Sequence, residues 1–265
     1  MTFYLRSELA CGAVRFVPRD KASPLVALAS FPGSGNTWLR HLVHLSTGLK
    51  VCQMKSKMLI IFFFPGFYTG SEYFDYDLHE SGFLGEGVRN RSAILVKTHD
   101  SDEVTRSRYD KVVLLMRSPR AAILAEFNRV YSGDHRGLAS RENFLKYWSE
   151  FSSTHQKAWR QFYSDWLLYP RPLTLVHFED LVKDPGSQLR RVLEVVGVSG
   201  DPGRLQCSLR GGVANLWRRG NYGSSTESQD DLLLYNPETA YVWDMFYKEI
   251  VEQYNIMTQK TLIKV

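Results

Sequence analysis

The sequence predicts a three-layer α/β fold with a central, mainly parallel sheet. Residues 25–29, 112–116 and 173–180 have apolar cores typical of buried strands, and a helical pattern follows each of them. A repeated order of strand and helix is typical of a parallel sheet with helices on both faces. The chain has 265 residues, of which 44% are hydrophobic, so we expect one domain with a sizeable core.

The first strand leads directly into a glycine turn, Phe31-Pro32-Gly33-Ser34-Gly35-Asn36-Thr37-Trp38. A helical pattern follows, with apolar residues at positions 39, 42, 43 and 45 and Gly48 as a stop. Gly33 and Gly35 allow a close approach to a ligand, and Ser34, Asn36 and Thr37 place polar groups beside the free amides of the helix start. This corner predicts a phosphate site. An ordinary strand-to-helix turn is the alternative that so short a motif leaves open.

Two further strands end in cationic or titratable side chains. Residues 93–100 end with Lys97 and His99, which point the same way on an extended chain and therefore face one pocket. A catalytic role and a structural role for His99 are about equally favoured. The strand at 112–116 is closed by Arg117, Ser118 and Pro119, and a helix follows over 121–130. The planar fork of Arg117 suits a phosphate, or else a structural salt bridge.

The remaining segments complete the alternating pattern. Aromatic residues at intervals of three and four predict a core-facing helix over 141–166, on which His155 is expected to be packed rather than catalytic. A helix over 188–196 and a turn at Gly197 follow the strand at 173–180. The glycine-rich segment 217–223 contains Arg218 and Arg219, which suit a second phosphate or a solvent-facing loop, and a last helix is predicted over about 237–254.

Composition limits the function classes. The net charge of +5 and the pI near 9.0 favour anionic ligands but fall short of a nucleic-acid-binding tail. The three cysteines form no CxxC pair, so neither a zinc site nor a disulfide framework is predicted. We find no apolar run of the roughly 20 residues that span a membrane and no signal peptide, so we expect a soluble chain that carries no targeting segment.

Residues 49–66 look foreign to the pattern. They include the apolar run 58–65, and glycines at 48 and 66 flank the segment as duplicates, so its deletion leaves the chain in frame. A buried strand is the ordinary interpretation of such a run, but we favour an insertion or an unspliced intron. The predicted organisation is therefore a lead-in over 1–23, one domain over 24–258 that contains this segment, and a tail over 259–265.

From about Pro24 to Tyr254 the chain resembles the sulfotransferases that use 3′-phosphoadenosine-5′-phosphosulfate (PAPS). Four motifs occur in the order of that family: the glycine turn at 31–38, Lys97-Thr98-His99, Arg117-Ser118-Pro119-Arg120, and Phe178-Glu179-Asp180-Leu181. The sequence at 27–32, 125–129 and 176–181 is most similar to that of the WSC-domain-containing sulfotransferases, which are Golgi enzymes thought to sulfate sialic acid. The resemblance implies a P-loop-like sulfotransferase fold, PAPS as co-substrate without a metal, a carbohydrate or glycoconjugate acceptor, and a Golgi location through a membrane anchor that this sequence lacks.

The resemblance also implies roles for individual residues. The 5′-phosphosulfate would lie over the turn, adenine beside two aromatic rings, and the 3′-phosphate against Arg117, Ser118 and the late basic segment. His99 would take the proton of the acceptor hydroxyl, and Lys97 would neutralise charge on the sulfuryl or phosphate oxygens. The remaining donor-binding residues so implied are Gly33, Ser34, Gly35, Asn36, Thr37, Trp38, Phe178, Arg218, Arg219 and Gly220.

Two positions depart from the family pattern. Gly33 stands where cytosolic members have a lysine, for which Lys97 or Arg40 would substitute. Ala125 stands where a serine commonly binds the 3′-phosphate, for which Ser118 would substitute. These departures keep open a catalytically impaired relative that binds PAPS or its product 3′,5′-adenosine bisphosphate (PAP). A P-loop kinase is a weaker alternative, because Gly35 is followed by Asn36-Thr37 rather than by Lys and Ser or Thr.

Overall fold

A computed structural model describes residues 14–15, 24–47, 66–67, 69–132, 137–198, 209 and 237–262. Its strands are β1 Val14–Arg15, β2 Val26–Ser30, β3 Gly66–Phe67, β4 Gly70–Ser71, β5 Val96–Thr98, β6 Lys111–Met116 and β7 Leu173–His177. Its helices are α1 Asn36–Thr47, α2 Tyr76–Glu80, α3 Glu103–Ser107, α4 Pro119–Tyr131, α5 Arg141–Leu167, α6 Phe178–Lys183, α7 Pro185–Val195 and α8 Pro237–Leu262.

The central layer is a five-stranded sheet in the order β4-β5-β2-β6-β7, and every neighbouring pair is parallel. The middle strand β2 is buried throughout, as are residues 112–116 of β6. Strands covered on both faces read as continuous apolar runs, which is why the sequence identified them. Because parallel strands all end at the same edge, the segments after β2, β5, β6 and β7 come together there.

Alternate residues along the strands face two separate hydrophobic cores. Ala27 and Ala29 of β2 belong to the core that contains residues of α4, α5 and α8. Val26 and Leu28 belong to the other core, with residues of α1, α6 and α7. Since side chains alternate across a strand, this division places helices on both faces of the sheet. The predicted three-layer α/β fold with a mainly parallel sheet is confirmed.

Helix starts follow local chemistry that the sequence supplies. Ser140 accepts a hydrogen bond from the backbone N–H of Asn143, and Asp184 accepts one from Ser187, so both side chains cap the helix that follows. Pro119 and Pro185 occupy first-turn positions, where the missing N–H costs nothing. These features fix the starts of α5 and α7, and Pro119 marks the start of α4 just after β6.

Several element boundaries differ from the prediction; β5, for example, covers only Val96–Thr98 of the strand predicted over 93–100. The strand predicted over 173–180 ends at His177, because Phe178–Lys183 turns into α6 with Glu179 and Asp180 in its first turn. Acidic side chains are favourable at that position, beside the positive end of the helix dipole. The last helix continues to Leu262 instead of ending near Tyr254, since Met257 still packs against the core one turn later.

The suspected insertion stays a prediction. Residues 49–65 lie outside the described part of the chain, as does most of the lead-in over 1–23. Gly66–Phe67 is described and pairs in parallel with Val14–Arg15 as a separate two-stranded sheet. Among the described residues no helix is both long and apolar enough to cross a membrane.

A buried polar cluster joins α1 to the chain around β4. The Nε2 atom of His44 accepts hydrogen bonds from the backbone N–H of Thr69, at 2.9 Å, and from its hydroxyl, at 2.8 Å. The Thr69 hydroxyl in turn accepts from Nε of Arg40. An acceptor at Nε2 requires a neutral imidazole, and burial lowers the pKa of His44 from 6.5 to about 3.

We predict that the free energy of unfolding is constant above pH 6.5 and falls as the pH drops toward 4. In that interval His44 is protonated in the unfolded chain but stays neutral in the folded chain, so acid favours unfolding. Urea unfolding at pH 7.5, 6.0 and 5.0 measures the slope. The His44→Gln variant, which keeps an acceptor without titrating, should lose stability at pH 7.5 but show a shallower slope. An unchanged slope would contradict this account.

Candidate active site at the carboxyl edge of the sheet

The glycine turn between β2 and α1 is held by close contacts on two sides. Gly33 has a φ of +77°, and a Cβ atom there would lie 2.2 Å from the carbonyl oxygen of Ala122 in α4. Gly35 has a φ of +90°, and its Cβ would lie 2.3 Å from the Phe178 ring in α6. Both glycines are therefore required by conformation and by space. A lysine does not fit at position 33, which explains this departure from the family pattern.

The polar residues of the turn divide into structural and accessible groups. The Asn36 side-chain amide donates to the Ser30 hydroxyl at 3.0 Å and to the Leu28 carbonyl at 3.3 Å. Asn36 and Ser34 are buried, whereas Gly33, Gly35 and Thr37 keep partial exposure. Asn36 therefore braces the turn against β2. The backbone of the two glycines and the Thr37 hydroxyl are what a ligand can approach.

Tyr163 of α5 contacts the turn through its hydroxyl, a role that the sequence did not predict. Its hydroxyl donates to the Leu115 carbonyl at 2.9 Å and lies 3.3 Å from the Ser34 hydroxyl and 3.4 Å from the backbone nitrogen of Phe31. The side chain is fully buried, which raises the pKa of the phenol and keeps it protonated. A tyrosine within a stripe of core aromatics was the available signal, since a buried hydroxyl needs partners.

His99 follows β5 and lies beside the end of β2. Its Nδ1 donates to the Ser30 carbonyl at 2.7 Å, so Nε2 carries the lone pair of the neutral ring. The Tyr73 ring stacks on it with centroids 6.0 Å apart, and the Tyr73 hydroxyl accepts from the backbone N–H of His99. Burial first, and then the charge of Lys97, lower the pKa of His99 from 6.5 to about 3. The imidazole is therefore neutral and oriented, as a general base must be.

Lys97 lies in β5, two residues before His99, and is buried. Burial lowers its pKa, and the charge of Arg40 lowers it further. Within the described residues no side chain or carbonyl forms a hydrogen bond with its ammonium group. Its charge also acts on His99, which supports the prediction that the two side chains face one pocket.

Arg40, the other proposed substitute for a loop lysine, has a different role. It is fully buried in α1, with one terminal guanidinium nitrogen 2.6 Å from the Glu86 carboxylate and its guanidinium carbon 4.8 Å from the centroid of the Phe83 ring. This ion pair occupies the guanidinium far from solvent. Arg40 is thus already paired with a carboxylate, whereas Lys97 forms no such ion pair within the described residues.

Arg117 and two aromatic rings line the other side of the turn. A terminal nitrogen of Arg117 donates to the Gly33 carbonyl at 3.0 Å, and its guanidinium lies 4.5 Å from the centroid of the Phe178 ring. Phe178 meets Trp38 edge to face at 5.7 Å. Because β6 lies beside β2 and β7 lies beside β6, the predicted donor-binding residues at 117, 178 and 38 come together at one edge of the sheet.

Three further predictions concern the same side. The backbone N–H of Ser118 donates to Glu179, which places Ser118 beside Arg117 at the start of α4. Ala125 is buried on α4 and offers no hydroxyl. Arg218, Arg219 and Gly220 lie outside the described residues. In the part of the chain that is described, no cluster of three His, Cys, Asp or Glu side chains suits a metal ion.

Comparison with known proteins relates the chain to sulfotransferases. Residues 110–202 match the model of the sulfotransferase family. Over 195 residues the chain is 39% identical to a WSCD family member of Drosophila pseudoobscura pseudoobscura, an alignment that covers 71% of this chain and 56% of the relative. The resemblance to the sulfotransferases is confirmed. A WSCD family member of Aedes aegypti is likewise 39% identical over 190 residues, with 70% of this chain and 54% of the relative covered.

The chain thus spans little more than half the length of the WSCD relatives that it matches. Among solved structures, mouse sulfotransferase SULT7A1 complexed with PAP superimposes with a TM-score of 0.54 at 14% identity, covering 94% of this chain and 91% of that one. At this identity the likeness concerns the fold. It supports the sulfotransferase fold that the motifs implied.

We predict that Gly33→Ala is far more damaging than Gly82→Ala. Both glycines have positive φ values, but a Cβ at Gly82 meets nothing within 4 Å, whereas at Gly33 it overlaps a backbone carbonyl. The control should lose about 1–2 kcal/mol of unfolding free energy from backbone strain alone. Gly33→Ala should lose about 1–3 kcal/mol more from the overlap. Equal losses of unfolding free energy in the two variants, measured by urea unfolding, would show that α4 moves away from the new Cβ without an energetic cost.

Proposed function

We propose that this chain is a PAPS-dependent sulfotransferase that transfers a sulfuryl group to a hydroxyl of a carbohydrate acceptor, with sialic acid as the acceptor class that the resemblance favours. The observation that carries the proposal is one site in which a glycine turn, Arg117 and a neutral, oriented His99 lie together. The PAP complex of the mouse neighbour supports the same donor. By resemblance, we also propose a Golgi location.

The turn and Arg117 supply what an anionic donor needs. Backbone amides at the start of α1 and the positive end of its dipole favour the 5′-phosphosulfate. The guanidinium of Arg117 suits the 3′-phosphate, and Trp38 and Phe178 offer ring surfaces for adenine. Amides and cations suffice for this binding, so the proposed chemistry uses no metal ion.

In the proposed reaction, Nε2 of His99 takes the proton of the acceptor hydroxyl while the hydroxyl oxygen attacks sulfur. The new S–O bond forms as the bond from sulfur to the bridging phosphate oxygen breaks, and PAP departs with that electron pair. The Ser30 carbonyl, which accepts the Nδ1–H bond, stabilises the imidazolium that forms. Lys97 offsets the charge that develops on the sulfuryl or leaving-group oxygens.

A relative that binds PAPS or PAP without turnover is the second candidate. Gly33 and Ala125 favour it, because both replace polar side chains of the family pattern. The presence of Lys97 and the orientation of His99 favour the enzyme instead. Calorimetry with PAP, beside ATP with magnesium, separates both candidates from a P-loop kinase, which should prefer ATP.

We predict that His99→Ala binds PAP with wild-type affinity but transfers sulfate about 10²–10⁴-fold more slowly, because only the base is lost. Isothermal calorimetry and transfer from labelled PAPS measure the two quantities. His79→Ala, at a partly exposed histidine on α2, serves as the control. Unchanged sulfate transfer by His99→Ala would show that His99 is not the base. If the wild-type protein binds PAP but transfers sulfate to no acceptor, the catalytically impaired relative is favoured.

We predict that Tyr163→Phe weakens PAP binding about 3- to 10-fold, the equivalent of one hydrogen bond that orders the turn. Ser34→Ala should have a similar effect, and the double variant should lose less than the sum, since both remove one contact. Tyr169→Phe, just beyond the same helix, is the control and should bind normally. Additive losses would show that Tyr163 does not act through Ser34.

A further inference from the structure

One surface turn carries a modification signal that the proposed reaction does not use. Asn90-Arg91-Ser92 is the one place in the sequence where asparagine is followed, after any residue except proline, by serine or threonine. This tripeptide is the acceptor signal for an N-linked glycan. Because such a tripeptide also arises by chance, its placement in the fold decides whether it can be used.

The turn leaves the side-chain nitrogen of Asn90 accessible. Asn90 is exposed and lies in a bend that precedes β5. Its Oδ1 accepts a hydrogen bond from the backbone N–H of Ser92 at 2.9 Å and another from the Ser92 hydroxyl at 2.5 Å. Within the described residues its Nδ2 forms no hydrogen bond. The oxygen of the amide is therefore satisfied inside the tripeptide, and the nitrogen that would carry a sugar faces solvent.

The tripeptide lies at the amino edge of the sheet, opposite the candidate active site. Arg91 donates to the Asp110 carboxylate at 2.6 Å, and the same carboxylate accepts from the backbone N–H of Leu25, which directly precedes β2. Asp110 comes just before β6 and Arg117 just after it, so the six residues of that strand separate the two edges by about 20 Å. A glycan on Asn90 would leave the glycine turn uncovered.

The surroundings of the turn also suit a bulky polar group. Arg89 and Arg91 on either side of Asn90 have side chains that are 63% and 50% exposed. Ala93 and Ile94, which follow, are buried and join the sheet side of the chain. The tripeptide thus protrudes from a well-packed segment, so the folded protein has room for a glycan without rearrangement.

We propose that Asn90 carries an N-linked glycan, attached in the secretory lumen from a lipid-pyrophosphate-linked oligosaccharide. This inference rests on the proposed Golgi location, but not on the proposed reaction. In the attachment step a bond forms between Nδ2 of Asn90 and C1 of the first sugar. The bond from C1 to the pyrophosphate oxygen breaks, the lipid pyrophosphate leaves with that electron pair, and the amide releases one proton.

Peptide mapping of the protein purified from its own cells tests the inference directly. A peptide N-glycosidase converts a glycosylated asparagine to aspartate, and in ¹⁸O-labelled water the new carboxylate is labelled. Digestion after glutamate yields the peptide 87–103, in which Asn90 is the only asparagine. This peptide should carry the label after glycosidase treatment and none without it. An unlabelled, unmodified peptide in the native protein would overturn the inference.

Variants of the full chain, directed into the secretory lumen of cultured animal cells by a cleavable signal, test which residues are needed. The wild type should shift to lower mass on a gel after glycosidase treatment, and Asn90→Gln and Ser92→Ala should show no shift. Ser92→Thr keeps the signal and should restore it. Ser107→Ala, at an exposed serine outside the tripeptide, is the matched control and should shift like the wild type. A shift that persists in Asn90→Gln would contradict the assignment.

PAP binding separates the inference from the proposed function. The glycosylated protein and the same protein after glycosidase treatment should bind PAP equally, because the glycan lies at the opposite edge of the sheet. Glycosylation at Asn90 in a folded protein that binds no PAP would overturn the proposed donor and support the modification. PAP binding by a native protein without a glycan would support the donor and overturn the modification.

Discussion

The close contact between Gly33 and α4 is the constraint on which the site depends. The backbone of α4 leaves no room for a side chain at Gly33, and the Phe178 ring leaves none at Gly35. Arg117 then holds the Gly33 carbonyl from the end of β6. Groups that follow β6 and β7 therefore position one short turn, and the parallel order of the sheet is what brings them to it.

That constraint determines which element can supply a positive charge beside the proposed donor. With no lysine possible at position 33, a cation beside the donor must come from another element. Arg40 is excluded because its guanidinium is enclosed with Glu86. Lys97 lies in a buried strand, where its direction is fixed by the sheet but its charge is disfavoured by burial. A bound anionic donor would offset the penalty that burial places on the charge of Lys97. That charge is therefore more favourable in the donor complex than in the free protein.

The sequence was sufficient for what local pattern controls. The strands β2, β6 and β7, the turn at 31–38 and the strand-end positions of Lys97, His99 and Arg117 follow from apolar runs and the residues that end them. Tyr163 was missed because its role depends on which helix face meets the turn, and that is decided by packing between elements distant in sequence. The sequence did not predict that α6 starts at Phe178, because residues 173–180 as a whole fit a strand pattern.

The electrostatics of His99 connect donor binding to base strength. In the free protein the ring is kept neutral chiefly by burial, and the charges of Lys97, Arg129 and Arg40 disfavour its protonation further. A base so weakened would transfer a proton poorly. The proposed donor would bring phosphate and sulfate oxygens beside Lys97, whose charge has the largest effect of the three. The imidazole would then become a more effective base once the donor is bound, because the negative charge of the donor cancels part of the field that suppresses it.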